Sequence, residues 1–333
     1  MDTCHAIRRK GNFEMKVLTM DRRDLLRYAS ASVFSVGLVG FGLCKVNETV
    51  PQATGFGFSL YGMKSLSILE AIRICAQIGY DCVELPAMVD WPGAPERLDG
   101  AARAQIREAL ATHKLRLTSI MENIVLVTND TTHASNLLRL KNAALLGREL
   151  SPLSAPVIET VMGGRPDNWE AVKSTMVDRL RDWAKVGKET QVVIAIKAHV
   201  SGAAHRPEHV RRLLEQVDSP WLRGVYDFSH FQLIGLSLAD TYETLKRDCV
   251  FIHIKDRSGD AKKFQFLLPG DGDTDYVEYF RMLRESKYVG DVMIEVSGQL
   301  HSRPEYDPIY SAKHCYEVIA PAFEKAKFER RSR

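Results

Sequence analysis

Val192-Val193-Ile194-Ala195-Ile196-Lys197-Ala198-His199 is a short apolar run that ends in a lysine and a histidine. Three more runs of the same shape follow it. Gly224-Val225-Tyr226 leads into Asp227, with His230 three residues on; Val250-Phe251-Ile252-His253-Ile254 passes into Lys255-Asp256-Arg257; and Val292-Met293-Ile294 ends in Glu295. A short β-branched run bounded by polar residues reads as a strand buried on both faces, as in a parallel sheet. Ionisable groups at the ends of such strands are costly unless they meet one another, a metal or a ligand. Four consecutive strands therefore deliver charge to one place.

Toward the N-terminus the same alternation continues. Strands are predicted at 56–60, 82–85, 115–120 and 155–161. Helical periodicity fills 65–78, 98–113, 134–146 and 167–189, the last with Asp167 as its expected N-cap. Further helices are predicted to begin near 207, 238 and 274, and a last one covers 308–325. Eight strand–helix repeats in roughly 280 residues predict a closed parallel (β/α)8 TIM barrel, a single α/β domain over 54–327. The first strand–helix junction, Tyr61-Gly62-Met63-Lys64, lacks the glycine fingerprint of a dinucleotide fold. Segment 258–275 reads as a long loop after the seventh strand, where a barrel carries or covers its site.

The ends differ in kind. Arg22-Arg23 precedes a mildly apolar stretch over 29–43 that is too short to span a bilayer. Residues 1–53 are expected to be a leader with a twin-arginine-like export signal, starting at Met1 or Met20, which puts the protein in the periplasm or otherwise outside the cytoplasm. Residues 328–333 are expected to be a basic tail. The net charge of +3 is small for 333 residues and several basic residues sit at the ends, so no nucleic-acid surface is expected. The six cysteines form no CxxC pair, which excludes a zinc ribbon and leaves the body cysteines as small buried hydrophobes.

Ligands of such a barrel bind at the C-terminal ends of its strands, where Asp227, His253 and Glu295 fall. Two carboxylates and an imidazole suit Mn²⁺, Zn²⁺, Mg²⁺ or Co²⁺. His230 can reach the same mouth and hold a substrate oxygen. His199, Arg257 and Trp91, the last in the loop after the second strand, are further substrate-binding candidates. Glu84, Glu122 and Glu159 carry less weight.

The order Asp-x-x-His, His, Glu on strands six to eight, together with Gly79-Tyr80-Asp81-Cys82-Val83-Glu84-Leu85, resembles the xylose-isomerase-like TIM barrels over about residues 55–325. That family includes sugar isomerases and epimerases, inosose dehydratase and barrel-type AP endonucleases. The resemblance implies a divalent ion held by Glu, Asp, His and Glu on strands five to eight, of which Asp227, His253 and Glu295 match the last three. Lys197 stands at the strand-five position, where it cannot ligate as a carboxylate does, and one of the two glutamates that trade the proton is absent. Two readings are open. The lysine ammonium satisfies the carboxylates without a metal; or a metal stays, completed by Glu159 or His199, with Lys197 pushed down in pKa to act as a base.

The function expected is an exported isomerase or epimerase, assisted by a divalent metal, that takes a proton α to a carbonyl on a sugar, keto-sugar or polyol. Glu295 serves as base or ligand, Lys197 or a metal stabilises the enediolate, and His230 holds a hydroxyl. The rivals are a lyase or aldolase with a Schiff base on Lys197 and a non-catalytic carbohydrate-binding barrel. An AP endonuclease is disfavoured, since neither its longer ligand set nor a basic face is evident. No stable membrane span is expected.

Overall fold

The computed structural model describes residues 54–331; the expected leader and export signal lie outside the described residues. Eight parallel strands close on themselves in the order β1, β10, β7, β6, β5, β4, β3, β2. They are β1 (Phe56–Ser59), β2 (Cys82–Pro86), β3 (Arg116–Met121), β4 (Val157–Val161), β5 (Ile194–Lys197), β6 (Leu222–Asp227), β7 (Cys249–Ile254) and β10 (Asp291–Ile294). All eight predicted strands are present, and the (β/α)8 barrel stands.

The helices are α1 (Ile68–Ile78), α2 (Gly100–Thr112), α3 (Asp130–Leu150), α4 (Trp169–Thr190), α5 (Pro207–Val217), α6 (Phe228–Gln232), α7 (Leu238–Leu245), α8 (Tyr276–Glu285), α9 (Gly298–His301) and α10 (Pro308–Ala326). Side-chain caps start several of them. Ser67 accepts from the Glu70 amide, Asp99 from Ala102, Asn129 from Thr132 and Asp275 from Glu278. The start of α4 corrects the sequence reading. Pro166–Asn168 forms a 3-10 turn, Asn168 occupies the cap position, and Asp167 pairs instead with Arg165 at 3.2 Å. The expected loop at 258–275 is also different: its first part is an antiparallel hairpin of β8 (Asp256–Asp260) and β9 (Lys263–Leu267). No helix among the described residues is long and apolar enough to cross a membrane.

Because side chains alternate along a strand, residues two apart share a face. This builds the barrel interior in layers. Cys82, Ala195, Val225, Phe251 and Met293 form an apolar cluster separate from the main core. A Cβ on Gly57 would lie 2.6 Å from the Met293 methyl and 2.7 Å from the Cys82 sulfur, so this layer leaves β1 no room for a side chain. Two residues further along β2, β5, β6, β7 and β10 come Glu84, Lys197, Asp227, His253 and Glu295. The outward faces pack on the helices in a large core that includes Phe56, Phe58, Trp183, Phe280 and Phe323.

The segment expected as a basic tail begins inside the fold. Phe328 is buried against Phe280 and Phe323. The Arg330 guanidinium donates to both oxygens of Asp81, at 3.0 and 3.1 Å, and lies 5.2 Å from the Phe56 ring centre. Asp81 also accepts the Phe56 amide at 3.0 Å. The buried Asp81 therefore ties β1 and β2 to the C-terminal segment. Asp81→Ala should strand Arg330 and lower unfolding free energy by about 3 kcal/mol, read from urea denaturation; a change near zero would show the pair to be dispensable.

Candidate active site

Eight side chains meet at the C-terminal end of the barrel. Lys197, the last residue of β5, places its Nζ 2.9 Å from Glu295 Oε2, 2.9 Å from His253 Nδ1 and 3.0 Å from Glu159 Oε1. Lys255, two residues beyond His253, donates to Asp227 Oδ2 and, at 2.9 Å, to the same Oε2 of Glu295. His253 Nδ1 lies 3.0 Å from that oxygen, and its Nε2 lies 3.2 Å from Glu84 Oε1. Ser59 and Ser119 donate to Glu84 at 2.5 and 2.7 Å. Ser229 donates to Asp227 Oδ1 at 2.6 Å. His230 Nδ1 accepts the Val200 amide at 3.3 Å, so its proton sits on Nε2, which faces Asp227 Oδ2 at 3.4 Å.

The cluster is nearly dry. His253, Glu84 and Glu159 are 0% exposed, Lys197 and Lys255 3%, and Glu295, at 9%, is its most open member. Phe266, on β9, covers it: its ring centre is 5.0 Å from Lys255 Nζ and 5.1 Å from the His230 ring centre.

Burial alone would neutralise these groups, and each partner set decides the outcome. Burial raises Glu159, and Glu84 and Glu295 add to the effect, so it is held above the usual carboxylate range despite Lys197 and His253. Neither Glu159 oxygen has a hydrogen-bond partner among the described residues, only the ion-pair approach of Lys197. Burial also pushes Glu295 up, but Lys197, Lys255 and His253 outweigh it and hold it well below that range. Burial presses Lys197 down, yet Glu159, Glu295 and Asp227 lift it well above 10.5. Burial and the Lys197 ammonium press His253 down; Glu84 and Glu295 overcome them and raise it from 6.5 to about 9. His253 is thus an imidazolium with a carboxylate on each nitrogen, and Lys197 Nζ sits beside Nδ1 because both donate to Glu295 Oε2. Each cation of the cluster thus faces at least one carboxylate: Lys197 and His253 face Glu295, and Lys255 bridges Asp227 and Glu295.

The sequence-predicted residues separate accordingly. Lys197, Asp227, His253, Glu295 and Glu159 come together, and His230 adjoins them. The depressed pKa of Lys197 was expected only beside a bound metal; with protein neighbours alone, three carboxyl groups surround it and lift it instead. His199 lies on the rim, its ring centre 4.3 Å from that of His230; burial, with Lys197 and Lys255, lowers it to about 4 and keeps it neutral. Arg257 turns away onto the hairpin, 3.4 Å from Asp273. Trp91 stacks on Tyr61 at 4.9 Å, and Lys64 Nζ stands 4.5 Å over its ring. Lys255 was not singled out by sequence, although its i+2 spacing from His253 puts it on the same inward face. Glu84 proves central for the same reason, two residues above Cys82.

The family model described as "Xylose isomerase-like TIM barrel" matches residues 72–314. The chain belongs to this family. Among curated relatives, an inosose dehydratase of Geobacillus kaustophilus is 23% identical over 187 residues, 52% of this chain and 57% of the relative. The chain spans about half the length of the curated relatives it matches. Among solved structures, the IOLI protein with a bound zinc atom superposes with a TM-score of 0.67 at 19% identity, over 81% of this chain and 99% of that one. A 3-keto-D-glucoside 4-epimerase of E. coli gives 0.64 at 17% identity, over 80% and 99%.

A zinc-bearing family member raises the question of a metal here. Asp227, His253 and Glu295 each offer a ligand atom, all within 4.8 Å of one another, and they are a metal-binding set by chemistry. The neighbours do not fit one. An ammonium already sits on each of the three donor atoms, and His253 would have to lose a proton to ligate. As arranged, the barrel mouth holds two lysines where a dication would stand.

The raised pKa of His253 makes a stability prediction. A histidine raised on folding contributes fully below its unfolded pKa, about 6.5, and the contribution is lost as pH rises through about 9. The gap in unfolding free energy between wild type and His253→Gln should therefore narrow by roughly 2–3 kcal/mol between pH 6 and pH 10. A gap that stays constant in urea titrations at the two pH values would mean that His253 is neutral throughout.

Proposed function

We propose that the chain is an enzyme that removes the proton α to the carbonyl of a polyhydroxylated ketone, a keto-sugar or keto-polyol. The observation that carries this reading is a pair of carboxyl groups of opposite character joined by one ammonium. Glu159, held above the usual carboxylate range, and Glu295, held well below it, both lie within 3.0 Å of Lys197 Nζ. Environments that push two acids apart in pKa assign them as acid and base.

In this reading Glu295, the most open carboxylate of the cluster, takes the α-proton. Lys197 and Lys255 turn their N–H groups from Glu295 to the oxygen on which negative charge develops, so the base loses its competitors as the enediolate forms. Glu159 supplies the proton that completes the turnover: to the opposite face of the carbon in an epimerisation, or to a departing β-hydroxyl in a dehydration. His230, fixed by the Val200 amide, has its Nε2–H toward Asp227, and a substrate hydroxyl would compete with that carboxylate for it. His199 and Trp91 flank the entry. The names of the similar proteins, an inosose dehydratase and a 3-keto-D-glucoside 4-epimerase, describe chemistry on keto-polyols and keto-sugars and support this reading. A Schiff base on Lys197 is disfavoured, because it needs a free amine and this one is a buried ammonium.

The test is deuterium exchange. Inososes and 3-keto-glucosides incubated in D2O with the enzyme should gain α-deuterium by NMR, with an epimer or an enone following. Glu295→Gln should lower kcat about 10³-fold and Glu159→Gln about 10²-fold. Saturable ligand binding without exchange across the panel would instead make the barrel a carbohydrate-binding protein.

We also propose that the chain acts outside the cytoplasm, on the strength of Arg22-Arg23 and the apolar stretch over 29–43. A reporter fused after residue 53 should be exported only while Arg22-Arg23 is intact; export of an Arg22→Lys/Arg23→Lys fusion at the full rate would overturn this.

A further inference from the structure

Divalent-ion chemistry at Asp227, His253 and Glu295 would need three free donor atoms facing a common point. In this chain that point is crowded with nitrogen. Glu295 Oε2 receives Lys197 Nζ and Lys255 Nζ, both at 2.9 Å, and His253 Nδ1 lies 3.0 Å away. Lys197 Nζ is also 2.9 Å from His253 Nδ1, and Lys255 Nζ donates to Asp227. Each of the three candidate ligand atoms thus touches at least one lysine nitrogen. Both lysines are themselves almost wholly buried, and Phe266 lies over Lys255, so neither is a surface side chain that has folded inward by chance. Each is positioned by strand alternation: Lys197 two residues after Ala195 of the apolar layer, Lys255 two residues after His253.

We infer that Lys197 and Lys255 together take the place of a divalent cation, and that this barrel works without a resident metal ion. Two ammonium groups bring the two positive charges that a dication would bring to the same carboxylates. They also bring N–H donors, which an ion lacks, so the oxygen they hold in a substrate is held by hydrogen bonds. The part of the inference that concerns substrate oxygen rests on the function proposed above. The part that concerns the ion does not, and binding measurements test it without any turnover.

The charge count gives a sharp variant. Lys197→Glu removes one positive charge and adds one negative, a change of two that a single divalent ion restores, and it adds a carboxylate beside Asp227, His253 and Glu295. The full chain is purified without chelator, assayed for Zn, Mn, Co and Mg by elemental analysis, and titrated with Mn²⁺ and Zn²⁺ by calorimetry. The wild type should carry far less than one ion per chain and show no saturable site in the micromolar range. Lys197→Glu should gain one ion per chain and bind Mn²⁺ on the order of a hundred-fold more tightly than the wild type. Lys197→Gln, which removes the ammonium without adding a ligand, should gain less.

One equivalent of metal in the wild type, or a micromolar wild-type site lost in Asp227→Asn, overturns the inference. A folded Lys197→Glu chain that gains no ion overturns it as well, since the lysine would then not be what fills the position. Should Lys197→Glu fold only when Mn²⁺ is present, that dependence is the expected gain, read as a rise in Tm on adding the ion. Should it fail to fold with or without metal, the wild-type measurement decides alone. Because these readouts are stoichiometry and affinity, an incorrect assignment of substrate leaves them unchanged.

Discussion

One carboxylate oxygen organises the mouth of this barrel. Glu295 Oε2 accepts from two lysines and a histidine whose own remaining contacts reach Glu159, Asp227 and Glu84. Burying so many ionised groups is unfavourable for each alone. They are tolerated because the network closes, with every cation against a carboxylate and Glu159, the carboxyl without a hydrogen bond, pushed above the usual range. The apolar layer of Cys82, Ala195, Val225, Phe251 and Met293 below, and Phe266 above, confine the network to a single stratum. Deleting one member would leave a buried charge without its counterpart, so sequence change in this layer has to occur in charge-balanced steps.

The barrel was legible because its strands are buried on both faces. Runs such as Val192–Ile196 carry no polar alternation, and their spacing gives eight parallel strands. The strand ends were legible for the same reason: Lys197, Asp227 and Glu295 each interrupt an apolar run. What escaped lay where the pattern is weak. Lys255 sits among Asp256 and Arg257 and reads as part of a solvated turn, although its alternation with His253 points it inward. The first strand of the hairpin reads as a loop because Ser258, Gly259 and Asp260 are exposed and polar; only Phe264 and Phe266, alternating with Lys263 and Gln265 on β9, carry a strand signal. Phe328 and Arg330 looked like a tail because Lys325, Lys327, Arg331 and Arg333 surround them in sequence. Only the structure brings Asp81, far along the chain, to Arg330.

The state of each ionisable group was beyond sequence altogether. The proton affinities of Glu159 and Glu295 depend on distances of about 3 Å to Lys197, Lys255 and His253, and these come from two different strands and the turn after β7. Family membership narrows the architecture and not this outcome. The zinc-bearing relative shares the fold over most of its length at 19% identity, which leaves room for the same scaffold to hold a different cation set.

The dryness of the cluster sets how it responds to its surroundings. Surface pairs such as Arg211–Glu215 are bathed in solvent, and mobile counterions screen them over a Debye length of about 8–10 Å. The pairs around Glu295 Oε2 admit no counterions, because the side chains that form them also fill the space between them. Ionic strength therefore tunes the outer surface of the protein while the field at the barrel mouth stays constant, and the charge arrangement there is set by the fold and not by the salt of the compartment.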